Sequence, residues 1–448
     1  MSHLGQEALR RILGGEGGPR EAENAAEHLV SCDRCRALAA TLVDDLRAED
    51  PGLRGKGPLQ LVFDLIDRER RWDEESLAAI AEWAEVRHMP SRRSQRDRVR
   101  MKKSCHTIAF FKLLLSELKE ASSWDEAEFL AGLALLSAEG MRQRQQITQA
   151  SNHDLQAEVW TAVANARRRA AEWKPAHQAL ANAEKHRKEG TGEPHLEAGL
   201  LSITASTLAD EGHVSQALDA LERCREIYED LSEWTLLART LVKMANVLEP
   251  MEPAKALVAL DRATPLIPAE DSYLRLLAEL LRAECLIGIC KPSEALQVFR
   301  RCSPMLIANP RVRIQIRGRF ISAKLLDALG FKQQAERLFD EVVDRDLEHE
   351  LYKDAFLDLL YLYGRHMQAG DLEKAARVCR RALTDSSLSA VAHEQLRTLW
   401  IQLLEAAQRQ AISQDLLRDL RQYLNVHWKH PAATPPAVGF PGAPKPNR

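Results

Sequence analysis

Near the N-terminus, His28, Cys32 and Cys35 stand in the spacing H-x3-C-x2-C. Imidazole and thiolate are the ligands Zn2+ takes most readily. On a helix, positions four apart share a face, so His28 and Cys32 point the same way. A turn across the two-residue gap then brings the Cys35 sulfur onto the same ion. Zinc takes four such ligands in a tetrahedron, and His3 is the one upstream His or Cys, which makes it the fourth. A complete four-ligand shell leaves no open position, so the zinc this predicts is structural rather than catalytic. The six other cysteines, Cys105, Cys224, Cys285, Cys290, Cys302 and Cys379, lie singly inside apolar helical patterns and read as small buried hydrophobes.

Other catalytic signatures are missing from the sequence. It has no G-x-x-x-x-G-K-[ST] phosphate loop, no G-x-G-x-x-G, no G-x-S-x-G elbow and no H-E-x-x-H. His349-Glu350 and His393-Glu394 lack the second histidine. This predicts a protein that is not an enzyme. Across 448 residues, 62 Lys and Arg nearly balance 65 Asp and Glu, which argues against a global nucleic-acid-binding field. No apolar run approaches the ~20 residues of a membrane helix, and no secretory leader is legible, so the expected location is the cytoplasm.

The elements that must carry these residues are helical. Ala, Leu, Glu and Arg dominate, while Gly (21) and Pro (19) are too sparse for a large β fold. A phrase of Ala, then a large apolar residue four on, then a small one three further on, starts at Ala176, Ala217, Ala256, Ala295, Ala335 and Ala375. The spacings are 41, 39, 39, 40 and 40. Twelve residues before each Ala lies a small or apolar residue: Ala164, Ala205, Met244, Ala283, Ala323 and Tyr363. Five before, Gly212, Gly330 and Gly370 mark turns. Small residues at the crossing of two helices allow close approach, and larger ones seal each hairpin against the next.

Two resemblances follow from these residues. The first 45 or so residues resemble the zinc-finger domain of bacterial zinc-binding anti-sigma factors. The match runs through His3, Ile12-Leu13-Gly14-Gly15-Glu16, Glu21, His28-Leu29, Cys32 and Cys35-Arg36. It implies a structural zinc and a sigma factor as partner. Redox-responsive members of that family imply an alternative, loss of zinc when the thiolates are oxidised. The repeated phrase resembles the tetratricopeptide repeat, with a period longer than its usual ~34 residues. The implied fold is all-α, a right-handed solenoid of helical hairpins behind a small zinc-finger-like module.

The expected organisation is a zinc-finger-like module at 1–48, a helical spacer of degenerate repeats at 57–150 and a repeat array at 151–385. Capping helices follow at 386–428, then a disordered proline-rich tail at 429–448. In the spacer, residues 106–121 and 123–141 read as a hairpin capped by Ser123 or Asp125. In arrays of this kind the first helix of each hairpin lines the concave face. That resemblance places Asn165, Arg168 and Arg169 of the first unit and Arg317, Phe320 and Lys324 of the fifth in a groove for an acidic protein or peptide. Residues 91–103 hold seven Arg or Lys against one Asp. Arg92, Arg93, Arg96 and Arg98 there are candidates for phosphate or an acidic partner, the basis of a rival reading as a nucleic-acid-associated regulator. The leading expectation is a non-enzymatic regulatory scaffold that binds proteins.

Overall fold

The computed structural model describes residues 3–426 apart from 51, 52, 54, 122, 171, 393 and 410–413. Among the described residues it consists of 22 α-helices and two 3-10 turns, with no strand. The fold is all-α, built of helical hairpins of the tetratricopeptide type, as the composition and the repeated phrase require. The tail expected at 429–448 lies outside the described residues. The chain divides into two compact units, Met1–Glu120 with Phe129–Thr148, and Ala121–Glu128 with Gln149–Arg448.

The first unit contains α1 (Gln6–Leu13), α2 (Pro19–Ser31), α3 (Asp33–Glu49), α4 (Leu59–Arg87), α5 (Arg92–Met101), α6 (Ile108–Glu120) and most of α7 (Trp124–Gln143). Gly15 adopts φ +88°, which only glycine takes without strain, and ends the turn after α1. Pro19 opens α2, and the Glu21 carboxylate accepts the Gly18 N–H at 3.2 Å. Leu9, Leu29 and Leu42, one from each of the first three helices, close a core completed by Val62, Phe63 and Ile66 of α4. Residues 75–87 form the second half of the 29-residue α4. The helices at 108–120 and 124–143 form, but α6 packs chiefly on α4 rather than as a hairpin with α7. Its apolar face, with Phe110, Phe111, Leu114 and Leu118 all sealed from solvent, matches the Trp83 side of α4.

The second unit stacks six hairpins: α8 (Gln149–Arg169) with α9 (Trp173–Glu189), α10 (Pro194–Asp210) with α11 (Val214–Asp230), and α12 (Trp234–Leu248) with α13 (Pro253–Ala263). Then come α14 (Ser272–Gly288) with α15 (Pro292–Ala308), α16 (Val312–Ala328) with α17 (Lys332–Glu348), and α18 (Tyr352–Gln368) with α19 (Leu372–Thr384). All six marker alanines, from Ala176 to Ala375, have zero exposure. Ala164, Ala205, Ala283 and Ala323, twelve residues before four of them, are buried as well, and small buried residues on both helices of a hairpin permit close crossing. In the turn between paired helices, Gly212, Gly330 and Gly370 adopt φ of +84°, +89° and +74°. Cys290 occupies the same register with φ +60° and is exposed. The expectation of a buried Cys290 is therefore wrong: it belongs to the turn register and not to the apolar stripe. The other five are buried as expected, and burial pushes the thiols of Cys105, Cys285 and Cys379 up to about 12. After α20 (Ser386–Val391), helices α21 (Glu394–Gln408) and α22 (Gln414–Val426) finish the stack. Trp400, Leu420 and Leu424 join the core of the last hairpins, and Tyr363 donates to the Leu403 carbonyl at 3.0 Å.

Candidate functional site

The predicted N-terminal ligands converge. The candidate donor atoms of His3, His28, Cys32 and Cys35 all lie within 4.8 Å of one another. His3 Nδ1 is 3.6 Å from the Cys32 sulfur and 3.4 Å from the Cys35 sulfur. The edges of a zinc tetrahedron with these ligand types are ~3.3–3.8 Å, so the spacing fits a single ion. Local structure explains the convergence. His28 sits in the last turn of α2 and Cys35 in the first turn of α3. Cys32 links the two helices in an extended conformation, φ −121° and ψ 99°, which reverses the chain so that both sulfurs face one point. His3 arrives from the strandless segment before α1.

Arg36, which the motif includes without assigning it work, holds this bend together. Its guanidinium donates to the carbonyls of Leu29 at 2.9 Å and Val30 at 3.0 Å, near the end of α2. Its Nε donates to Glu69 of α4 at 2.8 Å. Glu69 gave no sequence signal, because its pairing depends on which face of a distant helix arrives.

The basic stretch is a helix, α5, opened by the Ser91 hydroxyl, which accepts the Ser94 N–H at 3.2 Å. Its cations divide. Arg98 donates to Glu82 at 2.8 Å and pairs with Glu85, while Lys102 reaches Glu82 at 2.6 Å and Ser104 donates to it at 2.7 Å. Arg92 and Arg96 lie 4.9 and 5.4 Å from the centre of the Phe129 ring. Arg92, Arg93 and Arg96 are exposed.

The proposed groove residues fall into two sets. Arg168 donates to Asn165 at 3.0 and 3.1 Å and to Asp210 of α10 at 2.5 Å. Arg169 is exposed and reaches the Ala121 carbonyl at 3.4 Å. Arg317 donates to Glu284 at 2.7 Å and Asn246 at 3.4 Å. Lys324 lies 3.4 Å from Glu284 and 3.7 Å from Glu249, beside the rings of Phe320 and Tyr361.

These pairs belong to a longer line that sequence reasoning missed. Lys243 of α12 donates to the Ser202 hydroxyl at 2.5 Å and to Ser206 at 3.5 Å on α10. Arg365 of α18 donates to Asp327 of α16 at 2.8 and 2.5 Å. Each first helix of a hairpin thus contacts the first helix of a neighbouring hairpin through polar side chains. Lys353 of α18 stands 5.7 Å from the ring of Trp173 in the first hairpin, so the array curves enough to bring its sixth hairpin beside its first. Burial shapes these groups. It brings Lys243 down to about 8 and pushes Glu249 up, with Glu284 adding to the rise. It pushes Glu284 up as well, but the facing Arg317 and Lys324 outweigh it and hold that carboxyl low. The available signal was a charged residue inside an apolar run, as Glu284 is in Arg282-Ala283-Glu284-Cys285-Leu286.

Among the described residues no helix is long and apolar enough to cross a membrane. No protein-family model matches the chain, and no curated protein matches it. Among solved structures, the chain is similar to the crystal structure of Rap protein complexed with competence and sporulation factor. The identity is 13% and the TM-score 0.44, over 79% of this chain and 99% of that chain.

Proposed function

We propose that the chain is a non-enzymatic regulatory scaffold of the cytoplasm, with two places to hold other macromolecules. The observation that carries this reading is the series of polar contacts between first helices of neighbouring hairpins. Arg168, Lys243, Arg317, Lys324 and Arg365 each hold a partner on a neighbouring repeat. Such a surface is curved, polar and pre-ordered, and it is suited to a protein segment rather than to an apolar small molecule. An acidic peptide would bind by exchanging one carboxylate for another, for example at Arg168, where Asp210 now sits.

The N-terminal helices form the second place. Zn2+ at His3, His28, Cys32 and Cys35 would be structural and would fix the angle between α2 and α3. The resemblance of this module to anti-sigma factors assigns it a sigma factor as partner. The basic helix α5 supports the nucleic-acid alternative less well, since Arg98 and Lys102 are spent on Glu82.

The test is retention of purified partners by the immobilised full chain. A sigma factor retained by the wild type and released by Cys32→Ser/Cys35→Ser supports the module reading. A peptide or protein released by Arg168→Ala/Lys353→Ala supports the groove. Failure to retain a protein partner at any salt concentration overturns the scaffold, and salt-sensitive retention of DNA or RNA lost on charge reversal at Arg92, Arg93 and Arg96 replaces it with the alternative.

A further inference from the structure

A second cluster of metal-ligating side chains stands in the repeat array, well separated in sequence from the N-terminal one. His153 lies in the second turn of α8, and His186 and Glu189 lie in the last turn of α9. Their candidate donor atoms all fall within 4.8 Å of one another. His153 Nδ1 is 2.9 Å from His186 Nδ1 and 3.4 Å from a Glu189 carboxylate oxygen. Ligands sharing one ion at ~2.1 Å lie ~3.0 Å apart at an octahedral edge and ~3.4 Å apart at a tetrahedral one, so both separations suit a common centre.

The surroundings orient these donors. Gln149, one turn before His153, has its side-chain amide 2.9 Å from His153 Nε2. Amide oxygen and nitrogen exchange places by a simple flip. With the oxygen facing the ring, Gln149 accepts the Nε2–H and leaves Nδ1 as a lone pair, the arrangement metal-binding histidines use. The far side is clamped as well. Asp154 accepts the Thr191 N–H at 3.0 Å and the Thr191 hydroxyl at 2.6 Å. That bond ties the chain two residues after Glu189 back to α8. Gly190 between them is required, because a Cβ there would meet Asp154 Oδ1 at 2.0 Å. The end of α9 is therefore held against α8 before any ion arrives. A helix C-terminus favours a cation through the backbone carbonyls that point from it. His153 is largely enclosed, at 15% side-chain exposure, and Glu189 is open to solvent at 46%.

We propose that His153, His186 and Glu189 form a second metal site, which takes a divalent transition-metal ion of the Zn2+, Ni2+ or Co2+ type through two imidazoles and one carboxylate. The ligand set excludes the hard, oxygen-seeking Ca2+ and Mg2+. With three protein ligands the ion keeps an open coordination position on the solvent side, where water or a carboxylate or imidazole from a bound partner completes it. The N-terminal cluster, with four protein ligands, has no such opening. The site pins the first hairpin of the array at its open end and is independent of whether the N-terminal zinc module docks a partner.

Cobalt(II) titration of the full chain distinguishes the two clusters by colour. Thiolate ligation at Cys32 and Cys35 gives an intense near-ultraviolet charge-transfer band, and a site of two imidazoles and a carboxylate gives only weak visible bands. The wild type is expected to take up two equivalents, one of each kind. The Cys32→Ser/Cys35→Ser chain should keep one equivalent, without the charge-transfer band. Glu189→Gln, an exposed and conservative change that removes the charged ligand, should markedly weaken the second equivalent. His186→Ala should abolish it, and both should leave the charge-transfer band at full intensity. Full helicity by circular dichroism guards against misfolding of the His186 variant. The proposal is overturned if the Cys32→Ser/Cys35→Ser chain binds no cobalt, or if its weak visible bands survive both Glu189→Gln and His186→Ala.

Discussion

Two buried carboxyl sites, one in each unit, are held in opposite states. In the first, Glu82 is 6% exposed and ionised. Burial alone would raise its carboxyl, but hydrogen bonds from Lys102, Ser104 and Arg98 outweigh that effect and bring it down to about 2. In the second, Asp346 is 1% exposed and meets another carboxyl, Asp358. Burial pushes Asp346 up to about 7 and Asp358 well above the ordinary range, and the two share a proton. The difference follows from how each unit is built. The first relies on a few polar centres, the ligand cluster and the Glu82 hub, around a modest core. The second repeats one apolar register six times and tolerates an awkward acid pair within it.

The sharpest way to expose that contrast is to remove the metal. If zinc fixes α1–α3, chelation or Cys32→Ser/Cys35→Ser should open those helices at a loss on the order of 5–10 kcal/mol of local stability. Hydrogen exchange should show residues 6–49 losing protection while the hairpins of 149–384 keep theirs. Unchanged protection of α1–α3 after chelation would make the two units alike and dissolve the comparison.

Acid should act on these two sites in opposite directions. Glu82 is depressed from 4.5 to about 2, so its contribution is fully present above about pH 4.5 and is lost as pH falls through 2. That depression corresponds to about 3 kcal/mol. Glu82→Gln should therefore destabilise the first unit by about 3 kcal/mol at pH 7, and variant and wild type should converge towards pH 2. The adjacent Trp83 provides a fluorescence readout of this unfolding. The Asp346–Asp358 pair has the other sign. The native state there binds more protons than the unfolded chain between about pH 4 and 7, so stability falls as pH rises through that window. Asp358→Asn, which imitates the protonated partner, should stabilise the second unit at pH 8 by on the order of 1 kcal/mol, read as a higher melting temperature, with the gain gone by pH 5. A gain that persists at pH 5 would mean the carboxyls do not share a proton.

What the sequence disclosed tracks the range of the interactions. The hairpin register was legible because one phrase recurs, and each Ala from Ala176 to Ala375 must be small for its own local crossing. The N-terminal donors were legible because three of them sit within eight residues. Glu69 beneath Arg36 and the Glu284–Arg317–Lys324 group depend on helices about 33 to 40 residues apart meeting on given faces. No local pattern announces such meetings. His153 and His186 were hidden in the same way, since their pairing is a property of the hairpin rather than of either helix. The α6–α7 hairpin failed for a related reason: adjacency in sequence suggested a pair, while α6 packs chiefly on α4.

Cys290 offers the finest probe of the array. Its register carries glycine in three other hairpins, each with a left-handed backbone. A residue with a Cβ at φ +60° is strained by roughly 1 kcal/mol, and glycine relieves this at some cost in unfolded-chain entropy. Cys290→Gly should therefore stabilise the second unit by about 0.5 kcal/mol, read as a small rise in its unfolding midpoint with an unchanged slope. The effect should be confined to the array, because Cys290 lies in the turn between α14 and α15. It should also add to Asp358→Asn, since the two positions lie in different hairpins. A loss of stability would show that the Cys290 side chain makes a contact in the turn worth more than the relief of its backbone.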